Sequence, residues 1–93
     1  MDVGFTWSEA KRASNLAKHG LDFGDVARVF DGATMTVEDK RFWYGEKRYI
    51  TLGLVDEAPV YIAPTENAEE IRIISFRSAT RREARTYFEE VAN

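Results

Sequence analysis

The sequence predicts an α+β fold with two N-terminal helices, a small antiparallel sheet of about four strands, and a C-terminal helix. Apolar residues follow helical spacing through the first third of the chain, and alternation replaces that spacing from Ala33 onward. Helical spacing returns after Thr80. Runs of helices, then strands, then a helix are typical of α+β proteins.

The two N-terminal helices are delimited by residues that favour helix ends. Ser8 is a good N-cap, and Glu9 adds a negative charge to the first turn, where the helix dipole favours it. Gly20 is a good C-terminal stop. The second helix is expected from Asp22 to about residues 31–32, with one apolar stripe formed by Phe23, Val26, Ala27 and Phe30.

The middle of the chain is expected to supply the strands. Residues 34–38 alternate weakly, and residues 47–54 place Ile50, Leu52 and Leu54 on one face. Residues 60–63 are interpreted as a short strand bounded by two prolines.

The last strand, residues 71–77, is the most apolar one. Simple alternation places Ile73 and Arg77 on one face and Arg72, Ile74 and Phe76 on the other. Because both faces carry apolar residues, this strand is expected to be central.

The C-terminal helix is expected to begin at Thr80. Thr80 and Glu83 have the spacing of a capping box, in which each side chain satisfies a backbone N–H of the other residue. The helix should dock on the core, because it presents an apolar stripe of Ala84, Tyr87, Phe88 and Val91.

Size and composition limit the class of protein. Ninety-three residues predict a single domain spanning 1–93, with one modest core. The absence of a long apolar run and of a secretory signal predicts no membrane span and no secretion, and the absence of cysteine fits a reducing compartment such as the cytoplasmic one that the family resemblance described below implies. With no cysteine and one histidine, no metal site and no cofactor are expected.

Arginine is concentrated in residues 72–85. This segment holds five arginines and one glutamate, a charge of +4 in a chain whose net charge is −3. Guanidinium groups bind phosphate oxygens two at a time, so the cluster predicts a phosphate-binding patch of Arg77, Arg81 and Arg85, with Arg82 at its rim. Arg72 is expected to form an ion pair across the sheet.

The alternative is that these arginines are solvated and paired with Glu66, Glu69 or Glu70 on neighbouring strands. Arg81 and Arg82 would lie in the first turn of a helix, where the dipole disfavours cations. Locally unfavourable choices of this kind are typical of functional sites, which favours the phosphate-binding interpretation.

His19 is the default candidate for proton transfer, because histidine ordinarily exchanges protons near neutral pH. A histidine in the last turn of a helix is also favoured by the dipole, so the segment from Lys18 to Gly20 is equally typical of a plain helix end.

Three adjacent aromatic residues, 42–44, follow Lys40 and Arg41. Three interpretations are open for them. An exposed ring can stack on an RNA base, or anchor a protein partner, or Trp43 can pack in the core with its neighbours part-exposed.

These segments together resemble the BrnT family of bacterial type II toxins, which share the RelE-like ribonuclease fold. The N-terminal similarity is carried by Phe5-x-Trp7-x-Glu9-x-Lys11-x-x-x-Asn15-x-x-Lys18-His19-Gly20. A middle block follows at Gly45-Glu46-x-Arg48-x-x-x-x-Gly53. The C-terminal similarity is carried by Arg72-Ile-Ile-Ser75-x-Arg77-x-Ala79-Thr80-Arg81-Arg82-Glu83-x-Arg85-x-Tyr87.

The resemblance implies an endoribonuclease that cleaves RNA without a metal and inhibits translation. It also implies a hetero-oligomer with a BrnA-like antitoxin, through which any contact with DNA would be indirect. Such cleavage needs a base, a cation beside the phosphate and an acid. The catalytic candidates are Arg77, Arg81, Lys18 and His19, and the RNA-binding candidates are Arg82, Arg85, Lys40, Arg41 and Trp43.

Three positions depart from the family pattern. Ser8 stands where many members carry Asp, Pro64 where a histidine is often found, and Asn67 where an arginine is common. The last two departures would remove a proton donor and a phosphate contact. The alternative function is therefore a weakened or inactive homologue that mainly binds an antitoxin or RNA.

Overall fold

A computed structural model describes residues 4–66 and 70–91 of the chain. The described residues form a five-stranded sheet with the strand order β1-β5-β4-β3-β2, together with three α-helices and one short turn of 3-10 helix, Phe23–Asp25. The α+β class is confirmed. The elements are β1 Gly4–Thr6, α1 Glu9–His19, α2 Val26–Phe30, β2 Met35–Glu38, β3 Tyr49–Val55, β4 Ala58–Glu66, β5 Glu70–Ser78 and α3 Arg81–Glu90.

The sheet is mixed, so the prediction of four antiparallel strands is wrong in this detail. β1 is an additional strand, and it pairs in parallel with β5, with Gly4 opposite Glu70 and Thr6 opposite Arg72. The other neighbouring strands are antiparallel. Three residues are too few to produce a visible alternation, which is why the sequence pattern did not reveal β1.

The predicted helix ends are confirmed. The Ser8 side chain accepts a hydrogen bond from the backbone N–H of Lys11, and Gly20 ends α1 in the left-handed conformation with φ of 72°. The capping box of Thr80 and Glu83 has both of its hydrogen bonds. Asp22 also caps a helix, although the first turn after it is 3-10 rather than α.

β4 passes through both prolines that were expected to bound it. Pro64 lies at a shift in register between β4 and β5, since Ala63 is opposite Ser75 whereas Pro64 is opposite Ile73. Ile74 therefore has no residue opposite it and forms a β-bulge. Proline is tolerated within a sheet at bulges of this kind, because the pairing there is already interrupted.

The bulge changes which side chains of β5 share a face. Cross-strand partners point to the same side of a sheet, and Arg72 and Arg77 are opposite Thr65 and Tyr61. These two residues of β4 are four positions apart and therefore lie on the same face of that strand. Arg72 and Arg77 therefore lie on one face, whereas simple alternation had placed them on opposite faces. That part of the sequence prediction is wrong because one extra residue inverts the alternation.

The main core lies on the face that the 3-10 turn and α2 cover. Its fully buried residues come from that turn, from α2 and from strands β4 and β5, and Trp7 packs against them. A smaller cluster of Leu52, Tyr61 and Tyr87 lies on the opposite face, under α3. The residues of the main core are Phe23, Val26, Val29, Val60, Ile62, Ile73 and Phe76.

α1 lies beside β5, where β1 ends, and Asn15 joins the two elements. Asn15 is 7% exposed, and its side-chain amide pairs with the backbone of β5 as a peptide group of a neighbouring strand would. Nδ2 donates to the carbonyl of Phe76 over 2.7 Å, and Oδ1 accepts from the N–H of the same residue over 3.2 Å. Asn15 thus satisfies the open edge of β5.

None of the helices in the described part of the chain is long and apolar enough to cross a membrane.

Candidate functional site

One face of the sheet carries a line of polar and cationic side chains. On β5 this line consists of Arg72, Ser75 and Arg77, which are opposite Thr65, Ala63 and Tyr61 of β4. Only one end of this face lies under α3, where Tyr87 packs against Leu52 and Tyr61.

Tyr61 is the centre of the site. The guanidinium carbon of Arg77 lies 3.7 Å from the centroid of its ring, a close cation–π contact. Arg77 also forms a two-pronged ion pair with Glu83 of α3, with Nη1–Oε1 of 2.8 Å and Nη2–Oε2 of 3.0 Å. The hydrogen bond from Arg77 lowers the pKa of Glu83, and the same bond raises the pKa of Arg77.

A second guanidinium, that of Arg41 in the loop after β2, interacts electrostatically with Tyr61. Arg41 forms two hydrogen bonds of 2.8 Å to the carboxylate of Asp39, which is buried and also accepts a bond from the Tyr44 hydroxyl over 3.0 Å. The bonds from Arg41 hold the pKa of Asp39 well below its usual range. Asp39 raises the pKa of Arg41, and Tyr61 adds a smaller contribution.

The same phenol also raises the pKa of Arg77. Arg77 therefore contacts Tyr61 directly, and Arg41, from a different part of the chain, interacts with the same phenol electrostatically. We call Tyr61, Arg41 and Arg77, with the carboxylates of Asp39 and Glu83 that hold the two arginines, the Tyr61 site.

Arg72 and Arg48 continue the cationic face away from α3. Arg72 donates to Glu46 over 2.7 Å, so the predicted ion pair is confirmed, with a partner in the loop before β3. The Nε atom of Arg48 lies 3.7 Å from the same carboxylate oxygen. The Arg48 guanidinium also lies 4.1 Å from the centroid of the Tyr44 ring.

The three arginines of α3 differ from Arg77. Arg81, Arg82 and Arg85 are exposed, and within residues 4–66 and 70–91 they form no ion pair. The alternative interpretation, that the arginines pair with carboxylates, holds among the described ion pairs for Arg77, which pairs with Glu83, and for Arg72, which pairs with Glu46. Glu69, one of the partners considered, lies outside the described residues. The roles of Arg81, Arg82 and Arg85 in RNA cleavage or binding stay predictions.

Lys18 and His19 lie elsewhere, in a groove between α1 and β5. They line a cavity of about 220 Å³ together with Lys11 on the helix and Ser75 on the strand. His19 is half-buried in the last turn of α1, and Gly20 follows it as the C-cap. That placement is consistent with a helix end, and neither residue contacts the Tyr61 site in the described hydrogen bonds.

The aromatic loop points its largest ring to solvent. Trp43 is 90% exposed and Phe42 is 68% exposed, so the interpretation of Trp43 as a core residue is wrong. The hydrogen bonds of Asp39 to Arg41 and Tyr44 fold the loop so that the residues between them face outward. Lys40, Arg41 and Trp43 line a cleft of about 360 Å³ in this loop.

The departures from the family pattern have different consequences here. Ser8 performs the capping role. Pro64 is fully buried and is opposite Ile73 of the main core, so its side chain points away from Tyr61 and Arg77. Asn67 lies outside the described residues.

Tyr61 and Asp39 were missed by the sequence reasoning. Asp39 had a local signal, because a carboxylate two residues before an arginine can hold its guanidinium. Tyr61 had none, because its two arginine neighbours come from positions 20 residues before it and 16 residues after it.

Among the residues that the structure describes, no group of three or more His, Cys, Asp or Glu side chains could hold a metal ion. The fold and the site define a small α+β protein with one sheet face lined by arginines.

Residues 7–83 match the model of a family described as "Ribonuclease toxin, BrnT, of type II toxin-antitoxin system". The match covers most of the 93 residues, and the chain belongs to this family. No curated protein matches the chain.

Proposed function

We propose that this chain is the ribonuclease toxin of a type II toxin–antitoxin pair and that it cleaves RNA at the Tyr61 site. Family membership supports the class of reaction. The observation that supports the location is the contact of the Arg77 guanidinium with the Tyr61 ring, together with the electrostatic interaction of Arg41 with the same phenol.

The chemistry of metal-free RNA cleavage fits these groups. A base takes the proton of a ribose 2′-OH, whose oxygen attacks the adjacent phosphorus, and the 5′-oxygen of the next nucleotide leaves with a proton from an acid. The products are a 2′,3′-cyclic phosphate and a 5′-OH end. Arg77 and Arg41 stabilise the added negative charge on the phosphate, and Tyr61 carries an O–H that can donate the proton to the leaving oxygen.

The remaining sequence-based assignments belong to the same proposal. Arg81 stays a catalytic candidate, and Arg82, Arg85, Lys40 and Trp43 stay candidate RNA contacts. Lys18 and His19 line a separate groove, and their part in catalysis stays a prediction. The chain acts as one RelE-like domain in the cytoplasm, inhibits translation, and is neutralised by a BrnA-like antitoxin in a hetero-oligomer.

The test is RNA cleavage by the purified protein in the presence of EDTA, comparing Arg77→Ala with Arg81→Ala. Both variants lose one guanidinium, but only Arg77 contacts Tyr61. Losing an electrostatic contact to the transition state typically costs about 10²–10³-fold in rate. Arg77→Ala should lose about that much, and Arg81→Ala should lose far less. Equal losses of cleavage rate in the two variants would mean that the site lies at α3. Wild-type rates in both variants would refute the proposal.

A specific observation favours the alternative of a weakened toxin that mainly binds its antitoxin. Both arginines of the Tyr61 site are already paired with carboxylates, Arg77 with Glu83 and Arg41 with Asp39. An RNA phosphate must compete with these carboxylates. Growth arrest on expression without the antitoxin, lost in Arg77→Ala, would exclude this alternative.

A further inference from the structure

We propose that the groove between α1 and β5 binds the phosphodiester backbone of the single-stranded RNA that is cut at the Tyr61 site. This inference rests on the proposed function and adds to it a requirement on the substrate, which must be a strand of several nucleotides.

The groove has two parts that share Lys11 and Ile74. The first part, about 220 Å³, contains Lys18 and His19, and the second part, about 280 Å³, extends to Arg48 and Arg72. We call the two parts together the α1 groove.

The charge of the α1 groove is strongly positive for a protein whose net charge is −3. Lys11 and Lys18 form no ion pair with any described residue. The carboxylate of Glu46 lies at the end of the groove, where it contacts Arg72 over 2.7 Å and Arg48 over 3.7 Å. Lysine side chains without a carboxylate partner are the groups that neutralise backbone phosphates.

Arg48 is not saturated by its protein neighbours. Its Nε atom is buried and makes no hydrogen bond to any described residue, although it lies 3.7 Å from Glu46. A buried donor of this kind is unusual in a folded protein, and a ligand oxygen at the groove end would supply the missing partner after a small movement.

The α1 groove runs directly to the Tyr61 site. Ser75 lines the groove and is opposite Ala63, and Arg77 is the next residue of β5 on the same face. Two residues of a strand span about 7 Å, so the groove begins close to the proposed cleavage point. The bulge residue Ile74 lines both parts, and bulges are over-represented next to active sites.

Binding of a phosphate backbone explains these features better than recognition of bases does. The groove offers cations and hydroxyl groups, from Lys11, Lys18, Ser8 and Ser14, and its lining includes no Phe, Tyr or Trp ring on which a base could stack. Phosphate contacts of this kind position a strand without reading its sequence.

The test measures binding of a labelled 2′-O-methyl RNA, which the enzyme cannot cut because the attacking hydroxyl is blocked. The strand is roughly twelve nucleotides long, within the range that single-strand binding proteins cover. It is compared with a 2′-O-methyl dinucleotide, using fluorescence anisotropy over a range of salt concentrations. The variant is Lys11→Gln with Lys18→Gln.

The matched control is Ala27→Glu with Arg28→Gln. It changes the net charge by the same amount on exposed positions of α2, where Arg28 contacts Asp25 and Asp56 and lines no part of the groove. A change in the control would report the effect of net charge alone.

Each phosphate contact to a single strand contributes about 0.7 to the slope of log affinity against log salt. The groove variant should therefore lower the slope by about 1.4 and weaken binding of the long strand by roughly 25-fold at 0.1 M salt. Affinity for the dinucleotide and the behaviour of the control should stay unchanged.

An unchanged slope and affinity for the long strand would overturn the inference even if Arg77→Ala abolishes cleavage. An equal loss for the dinucleotide would also overturn it, because the lysines would then act at the cleavage point itself. Normal RNA binding with loss of the antitoxin complex would assign the groove to the protein partner instead. The cleavage assay tests the proposed function independently of these binding measurements. Full cleavage by Arg77→Ala would show that the proposed function is wrong.

Discussion

The two faces of the sheet are built in opposite ways. The face toward α2 is closed and apolar, with seven buried residues in contact across two strands, the 3-10 turn and the helix. The face toward α3 has a cluster of three buried hydrophobic residues at one end, and the rest carries Arg48, Arg72 and Arg77 beside small or polar residues. One face supplies most of the apolar burial that stabilises the fold, and the other is free to bind.

The difference shows how a small domain can hold unfavourable charges together. Arginines on neighbouring strands repel one another, and each would be costly without compensation. Here Glu83, Asp39 and Glu46 hold Arg77, Arg41 and Arg72 in turn. Substitutions on the α2 face should therefore change mainly stability, and substitutions on the α3 face should change mainly activity.

The largest expected effect on stability is that of Phe76→Ala. Phe76 is fully buried in the α2-face core, and replacing a buried Phe by Ala costs about 3–5 kcal/mol. Urea unfolding followed by circular dichroism would measure the loss. Trp43→Ala is the contrasting variant, because a ring that is 90% exposed should leave the unfolding midpoint nearly unchanged. Similar losses in the two variants would contradict the comparison.

Asn15→Ala should have the next largest effect. It removes three hydrogen bonds, to the carbonyl and N–H of Phe76 and to the carbonyl of Leu21, at about 1 kcal/mol each. Hydrogen exchange should also show faster exchange of the Phe76 amide. If the variant lost RNA cleavage with unchanged stability, Asn15 would belong to the site rather than to the edge of β5.

Gly53→Ala tests how tightly α2 packs on the sheet. An added Cβ would lie 2.6 Å from Cγ1 of Val29 and 3.2 Å from Cγ2 of Thr34. The first distance is too short for two carbon atoms, and the second is tight. Overpacking of this kind costs about 1–3 kcal/mol in thermal or urea unfolding. A variant as stable as the wild type would mean that α2 can move away from β3.

The smallest effect is expected on the open face, from Glu83→Gln. Because Arg77 lowers the pKa of Glu83, the ion pair stabilises the fold above the unfolded pKa of about 4.3 and is lost as the pH falls through the lower folded value. The variant should be less stable at pH 7 by no more than about 1 kcal/mol, and the difference should shrink toward pH 3. A difference that grows in acid would contradict the assigned pairing.

Local patterns predicted much of the fold. Ser8, Gly20 and the Thr80–Glu83 capping box mark helix ends through contacts between residues a few positions apart, so the sequence alone predicts them. The bulge at Ile74 and the parallel pairing of β1 depend on which distant strands meet, and no local pattern contains that information.

The site was predictable only in part for the same reason. The concentration of arginines and the run of three aromatic residues were visible in the sequence, but the exposure of Trp43 was not. The position of Tyr61 between Arg41 and Arg77 required the register of β4 and β5, and Arg72 joined their face only because of the bulge.

The central claim is that Tyr61, between two guanidinium groups, takes part in RNA cleavage. The most direct measurement is the single-turnover cleavage rate of Tyr61→Phe in EDTA, with Tyr49→Phe as control. The Tyr49→Phe variant also loses one hydroxyl. Tyr49 faces the other side of the sheet, because it precedes Ile50, whose side chain lies on the side of Tyr61. We expect Tyr61→Phe to slow cleavage by about 10²–10⁴-fold, as loss of a general acid does, and Tyr49→Phe to cleave normally. Cleavage by a folded Tyr61→Phe at the wild-type rate would contradict the account.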